Sequence, residues 1–204
     1  MTGTAEMLAQ AVRVPSNGLP PGKTLAKFVS VMGVGALVRY RLNEQEVARR
    51  KTSRLKAISS PDVLNLLLDL PLGLPVPVKS LARWERLALR AAPTGAFSIE
   101  KGQVTREAVA PIAVDLAIVP ARTWRAGLHA AGRFAPFCAR VIALSTAPKD
   151  LDVLNAQADF YGIGVAVADQ PELLVLPEAH RRNRFTVAGW QFLEAVYQQV
   201  VWGR

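Results

Sequence analysis

Residues 114–177 read VDLAIVPARTWRAGLHAAGRFAPFCARVIALSTAPKDLDVLNAQADFYGIGVAVADQPELLVLP. Apolar runs of strand length (VDLAIV, VIALS, IGVAVA) alternate with two segments spaced as helices, TWRAGLHAAGRF and DLDVLNAQADFYG. Runs that are almost continuously apolar suit strands covered on both faces, as parallel strands joined by helices are. The predicted order is strand, helix, strand, helix, strand, with LLVLP as a closing strand, and Asp115 falls on the first strand. This alternation predicts an α/β fold.

Working outward, TGAFSIE (94–100) reads as another strand and KGQVTREAVAP (101–111) as a loop or hairpin. At the far end, VAGWQFLEAVYQQVVW (187–202) spaces Trp190, Leu193, Val196 and Tyr197 along one side of a helix. That helix is expected to dock on the sheet or on a partner, which makes it the candidate interface for a homodimer or a second protein.

The first 93 residues have a different character. A Pro/Gly-rich stretch, VPSNGLPPGK (14–23), reads as an arm or lid behind a short first helix. KTLAKFVSVMGVGALVRYR (23–41) fits either a buried helix weakened by Gly33 and Gly35 or a strand pair around those glycines. Asn43 is placed to cap a helix with Glu44 and Glu46 in its first turn and Arg49, Arg50, Lys51, Arg54 and Lys56 toward its end, charges that complement the helix dipole. Ser60-Pro61-Asp62 starts a second, apolar helix, and Ser80 a third, LARWERLALRAA. In the third, Arg83, Arg86 and Arg90 share one face, and Leu81, Trp84, Leu87 and Ala88 are expected to form the opposing apolar face. Three short helices, two of them Arg-rich, are compatible with a helix-turn-helix or winged-helix unit. The plainer alternative is a solvated face on a packed amphipathic helix.

Charge points the same way. The 204 residues carry 25 Lys and Arg against 16 Asp and Glu, a formal net charge of +9, and most of the basic residues are Arg. Such a balance favours an anionic partner, with nucleic acid first, because guanidinium pairs with phosphate in a planar, bidentate way. Arg-rich composition also arises without nucleic-acid binding. Half the residues are hydrophobic, enough for one substantial core with a small helical subdomain. The single cysteine, Cys138, lies in an apolar run and reads as core; no disulfide framework or cysteine-based zinc site follows from it. No apolar run reaches the ~18 residues of a membrane span, and the chain is expected to be cytoplasmic, with no membrane partner.

Few motifs carry chemistry. Gly22-Lys23-Thr24 resembles the end of a phosphate-binding loop, but position 17 is Asn where that motif needs glycine, and prolines precede it. His129 and His180 are far apart and neither has a partner at metal-ligand spacing, and no GxSxG elbow supports a hydrolase triad. Acidic groups remain. Glu100 ends the TGAFSIE strand and Asp115 lies early in VDLAIV; carboxylates at one sheet edge can share Mg²⁺, which neutralises a scissile phosphate and activates water. Against this stands an ordinary ion pair of Asp115 with Arg122 or Arg125.

The strand and helix order of residues 94–178, with VDLAIV feeding directly into a helix, resembles the PD-(D/E)xK nuclease superfamily. The resemblance implies a restriction-endonuclease-like core in which Glu100 is the upstream acid and Asp115 the acid of the (D/E)xK element, both holding Mg²⁺. The lysine position falls on Ala117, and the helix position where many members carry Gln falls on Ala130. For an Mg²⁺-dependent nuclease, Lys101, Arg122 or Arg125 would have to supply the missing charge; without such a substitute the resemblance implies a degenerate member that does not cleave.

The expectation is therefore an N-terminal basic helical segment (1–93) of winged-helix type, leading into an α/β, restriction-endonuclease-like mixed-sheet core with a C-terminal helix (94–204). Its function would be association with duplex DNA, through Arg49, Arg50, Lys51, Arg54, Arg83, Arg86 and Arg90. The alternatives are a winged-helix-type regulator whose C-terminal part senses a ligand or dimerises, and an assembly subunit without catalysis.

Overall fold

A computed structural model describes residues 22–168, 170, 172–181 and 184–203. The expected first helix and most of the Pro/Gly-rich arm lie outside these residues. The chain divides into two compact units: the described part of Met1–Arg41 with Ala113–Asn183, and Leu42–Ile112 with Arg184–Arg204. The expected boundary between residues 93 and 94 is not where the chain divides. It falls inside the second unit, because the TGAFSIE strand pairs with its own hairpin partner and not with VDLAIV.

The first unit is built on a five-stranded sheet of order β1-β2-β6-β7-β8. Strands β1 (Leu25–Val31) and β2 (Val34–Leu42) form an antiparallel hairpin, which decides the open choice between helix and strand pair. Its two-residue turn, Met32-Gly33, has φ of 55° and 71°, the left-handed pair that matches the twist of flanking strands. Gly35 lies within β2, where a Cβ would come 2.9 Å from the Phe28 ring. Strands β6 (Ile112–Ala121), β7 (Ala139–Leu144) and β8 (Ile163–Val167) are parallel and joined by α4 (Trp124–Gly132) and α5 (Leu151–Phe160), as the alternation predicts. Leu37, Leu116, Ile118, Ala139, Val141 and Ala166 form the buried centre of this unit. The expected closing strand is reduced to a single bridge, Val175 against Val165.

The second unit holds α1 (Glu44–Ser53), α2 (Pro61–Asp69), β3 (Pro75–Pro77), α3 (Arg83–Ala91), β4 (Phe97–Glu100), β5 (Gln103–Arg106) and α6 (Val187–Tyr197). The helix starts follow the expected chemistry: the Asn43 and Ser60 side chains accept from the backbone of Glu46 and Val63, and Pro61 opens α2. Ser80 is instead part of a 3-10 turn, Val78–Ser80, and α3 starts at Arg83 with Glu85 accepting from the Ala82 N–H. The three short strands make an antiparallel sheet of order β3-β5-β4. Its β4–β5 turn, Lys101-Gly102, has φ of 49° and 75° and again needs left-handed backbone at both positions.

Helix α6 is absorbed into this unit. Trp190 is fully buried among Leu55, Ile58, Leu64, Leu67 and Ala108, and Val196 and Tyr197 are fully buried too. The apolar face of α6 expected to offer an interface is thus covered by the unit's own core, and only Trp202 beyond it stays 43% exposed. No helix of the described residues is long and apolar enough to cross a membrane.

Candidate functional site

The two acids of the expected site lie on different sheets. Asp115 lies on β6 of the five-stranded sheet, while Glu100 ends β4 of the three-stranded sheet in the other unit. The premise that both carboxylates occupy one sheet edge fails because the TGAFSIE strand belongs to a separate sheet. Both oxygens of Asp115 are also taken. Arg39, on the neighbouring strand β2, donates Nε to Oδ1 at 2.9 Å and NH2 to Oδ2 at 3.0 Å. The pair is nearly sealed, with side-chain exposures of 9% and 10%. A forked guanidinium on a carboxylate is a strong, directional pair and leaves the oxygens little capacity for a cation.

The expected substitutes for the missing lysine are exposed. Arg122 is exposed and follows the end of β6, seven residues beyond Asp115, roughly 23 Å along an extended strand. Lys101 is at the exposed tip of the β4–β5 hairpin. Ala117, in the lysine position, is fully buried. Among the described residues no three His, Cys, Asp or Glu side chains converge as a metal site.

Arg125 is no partner of Asp115 either. It reaches Asp150 at 3.1 Å and stacks over the Trp124 ring at 4.0 Å. The Trp124 indole also donates to Asp150, at 3.0 Å. This indole hydrogen bond, with Arg125 adding to it, holds the Asp150 carboxyl below its usual range. A depressed folded value means that the contribution to stability is present above the unfolded carboxyl value and is lost as pH falls through the folded one. Trp124→Phe is expected to raise the Asp150 titration midpoint, followed by NMR of its side-chain carboxyl; an unchanged midpoint would assign the shift to the backbone hydrogen bond and Arg125 instead.

The basic residues divide sharply. Arg50, expected on a nucleic-acid surface, is fully buried. It bonds Glu46 at 2.6 Å and forks onto Glu194, with NH1 and NH2 each at 2.8 Å. Burial pulls its pKa down, but Glu194 and Glu46 more than offset this and hold it above its usual value. Arg49 is likewise committed to Glu46, at 2.7 and 2.9 Å, and to the Gly95 carbonyl at 2.7 Å. Arg86 donates to the Leu81 carbonyl and is half-buried. These three are internal fasteners of the second unit. Sequence spacing offered part of the signal, since Glu46 and Arg50 are four apart on one helix; Glu194 is 144 residues away.

Exposed cations remain on this unit, among them two pairs. Lys51 and Arg54 project from the end of α1, the end nearest Gly95. Arg83 and Arg90 project from α3. The apolar face of α3 differs from expectation. Leu81 and Ala88 are buried, but Trp84 and Leu87 are 43% and 56% exposed. Arg83, Leu87 and Arg90 are spaced i, i+4, i+7, so one outward stripe mixes two guanidinium groups with a large apolar side chain, flanked by Trp84. Helix α3 stands between β3 and β4 in the chain, and the hairpin β4–β5 carries exposed Lys101 at its tip.

No family model matches the chain, and no match is found among curated proteins or solved structures.

Proposed function

We propose that this protein binds duplex DNA through its second unit, with α3 as the reading helix and the β4–β5 hairpin as a wing. The observation carrying this is the outward stripe Arg83, Leu87, Arg90 on α3, flanked by Trp84. Guanidinium groups contact phosphates or guanine edges, and apolar side chains contact thymine methyl groups, so the stripe has both kinds of group a major groove accepts. The order helix, strand, helix, hairpin, with sheet order β3-β5-β4, supports a winged-helix reading of the same residues. One departure is plain: a 3-10 turn, Val78–Ser80, stands where a helix-turn-helix has its first-crossing helix. A net charge of +9 favours approach to a polyanion.

Cleavage is not part of this reading. The two carboxylates it would use are on different sheets, and Asp115 is engaged by Arg39.

Measured as log affinity against log salt on a mixed-sequence duplex of about 20 base pairs, binding is expected to fall with a slope of about −2.7 or steeper. That value is ~0.9 for each of the three exposed cations Arg83, Arg90 and Lys101. A slope near zero would remove nucleic acid as the partner.

A further inference from the structure

We propose that the first unit carries a binding cavity for a small organic monoanion with an apolar body, lying between α4 and α5 and closed at its base by β7 and β8. The cavity is about 460 Å³, within the range of small-molecule sites. Its lining divides into two kinds of surface. Leu128 and Ile163 are buried apolar side chains, joined by Gly132 and Ala135. Arg140, His129, Gln157 and Tyr161 bring polar groups to the same space.

Those polar groups have hydrogen-bonding capacity to spare. Among the described residues the Arg140 side chain makes one hydrogen bond, NH2 to the Tyr161 carbonyl at 2.9 Å, which leaves NH1 free to donate to a ligand; Nε is buried without a partner. Burial pulls the Arg140 guanidinium below its usual value, with Cys138 and then Glu178 opposing this only through space. An anion beside Arg140 would offset that desolvation. Arg125 at the rim already has Asp150, so Arg140 and His129 are the groups left to meet a ligand. Among the described residues no carboxylate side chain lines the cavity.

One effect opposes an anion. The C-terminal ends of α4 and α5 border the cavity at Gly132 and Tyr161, and their partial negative charge is unfavourable by about twofold to fivefold in affinity. A hydrogen bond to a full guanidinium charge is worth more than about tenfold, so Arg140 outweighs the helix ends. Charge selects the anion, and the apolar floor selects a ligand with a hydrocarbon or aromatic body.

Calorimetric titration of the full chain with 2-naphthoate and with its neutral isostere 2-naphthamide tests this. The expected result is one site for 2-naphthoate and at least about tenfold weaker binding of 2-naphthamide. Arg140→Gln should bring the two to similar affinity. Gly132→Phe should abolish both, since a Cβ at Gly132 meets nothing within 4 Å and the ring can fill the cavity without a clash at its root. Should Arg140→Gln fail to fold, His129→Ala takes its place and is expected to narrow the gap between the two probes. Failure of 2-naphthoate to bind, equal affinity for both probes in the unmodified protein, or unchanged binding by folded Gly132→Phe would each overturn the proposal.

Discussion

Arg50→Met is expected to destabilise the second unit by about 3–5 kcal/mol, the largest effect of any single substitution considered. The guanidinium is fully buried and joins carboxylates from two helices, Glu46 of α1 and Glu194 of α6. It also donates to the Val109 carbonyl at 2.9 Å, and its cation lies 5.3 Å from the centre of the Tyr197 ring. Methionine preserves much of the stem volume and removes every one of these bonds. Glu194 then keeps only the Ile58 N–H at 3.1 Å and the Trp190 indole at 2.9 Å, so its charge is stranded in the interior. Glu46 fares better because Arg49 still donates to it twice. Adding Glu194→Leu should therefore recover part of the loss by removing the stranded charge, although the Ile58 and Trp190 donors then lack an acceptor at about 1 kcal/mol each. Urea unfolding would give the size of the loss. Amide exchange at Ile58, whose N–H points at Glu194, would place it. A loss below about 1 kcal/mol for Arg50→Met would mean that water or a rearranged carboxylate takes over the role.

The same network shows where the sequence was readable and where it was not. Helices with local signals were legible: Asn43 and Ser60 cap as their chemistry predicts, and the parallel strands follow from uninterrupted apolar runs. Local spacing also brings Glu46 and Arg50 together. What sequence could not supply is pairing at long range. Arg39 meets Asp115 across 76 residues, and Arg50 meets Glu194 across 144. Asp115 and Glu194 each sit alone among apolar neighbours, in AVDLAIV and QFLEAVY, which is a sign of a buried partner somewhere but not of which one, whereas Arg50 lies in the charged run EVARRKTSR and carries no such sign. The division of the chain was hidden for a related reason. Only residues 101–111, with the short β5, separate β4 from β6 in the chain, and nothing local assigns β4 and β6 to different sheets. Helix α3 misled in the opposite direction, since Trp84 and Leu87 have core-like side chains at helical spacing but remain exposed. An apolar face that the fold does not cover is what turns α3 from a packed helix into a candidate reading helix.

Arg83→Gln with Arg90→Gln is expected to weaken duplex binding by about 100-fold near 0.1 M salt, if each lost contact to phosphate or base is worth roughly 1.5 kcal/mol. The salt slope should flatten by about 1.8, at ~0.9 per contact. Both side chains are exposed, and glutamine is a good helix former, so folding should be little changed. Composition alone makes a competing forecast, because any two positive charges would then be equivalent on a chain of net charge +9. Lys51→Gln with Arg54→Asn separates the two accounts. These residues are equally exposed, carry the same charge, and lie at the end of α1 beside Gly95; asparagine tolerates the φ of 57° at position 54. A surface centred on α3 and the hairpin predicts a much smaller loss for this second pair. Equal losses from both pairs would leave only unspecific attraction. Leu87→Ala then tests for contact with bases: removing the apolar side chain leaves the salt slope unchanged, yet lowers affinity more for a thymine-containing duplex than for the same duplex with uracil in place of thymine, because only the former presents methyl groups in the major groove.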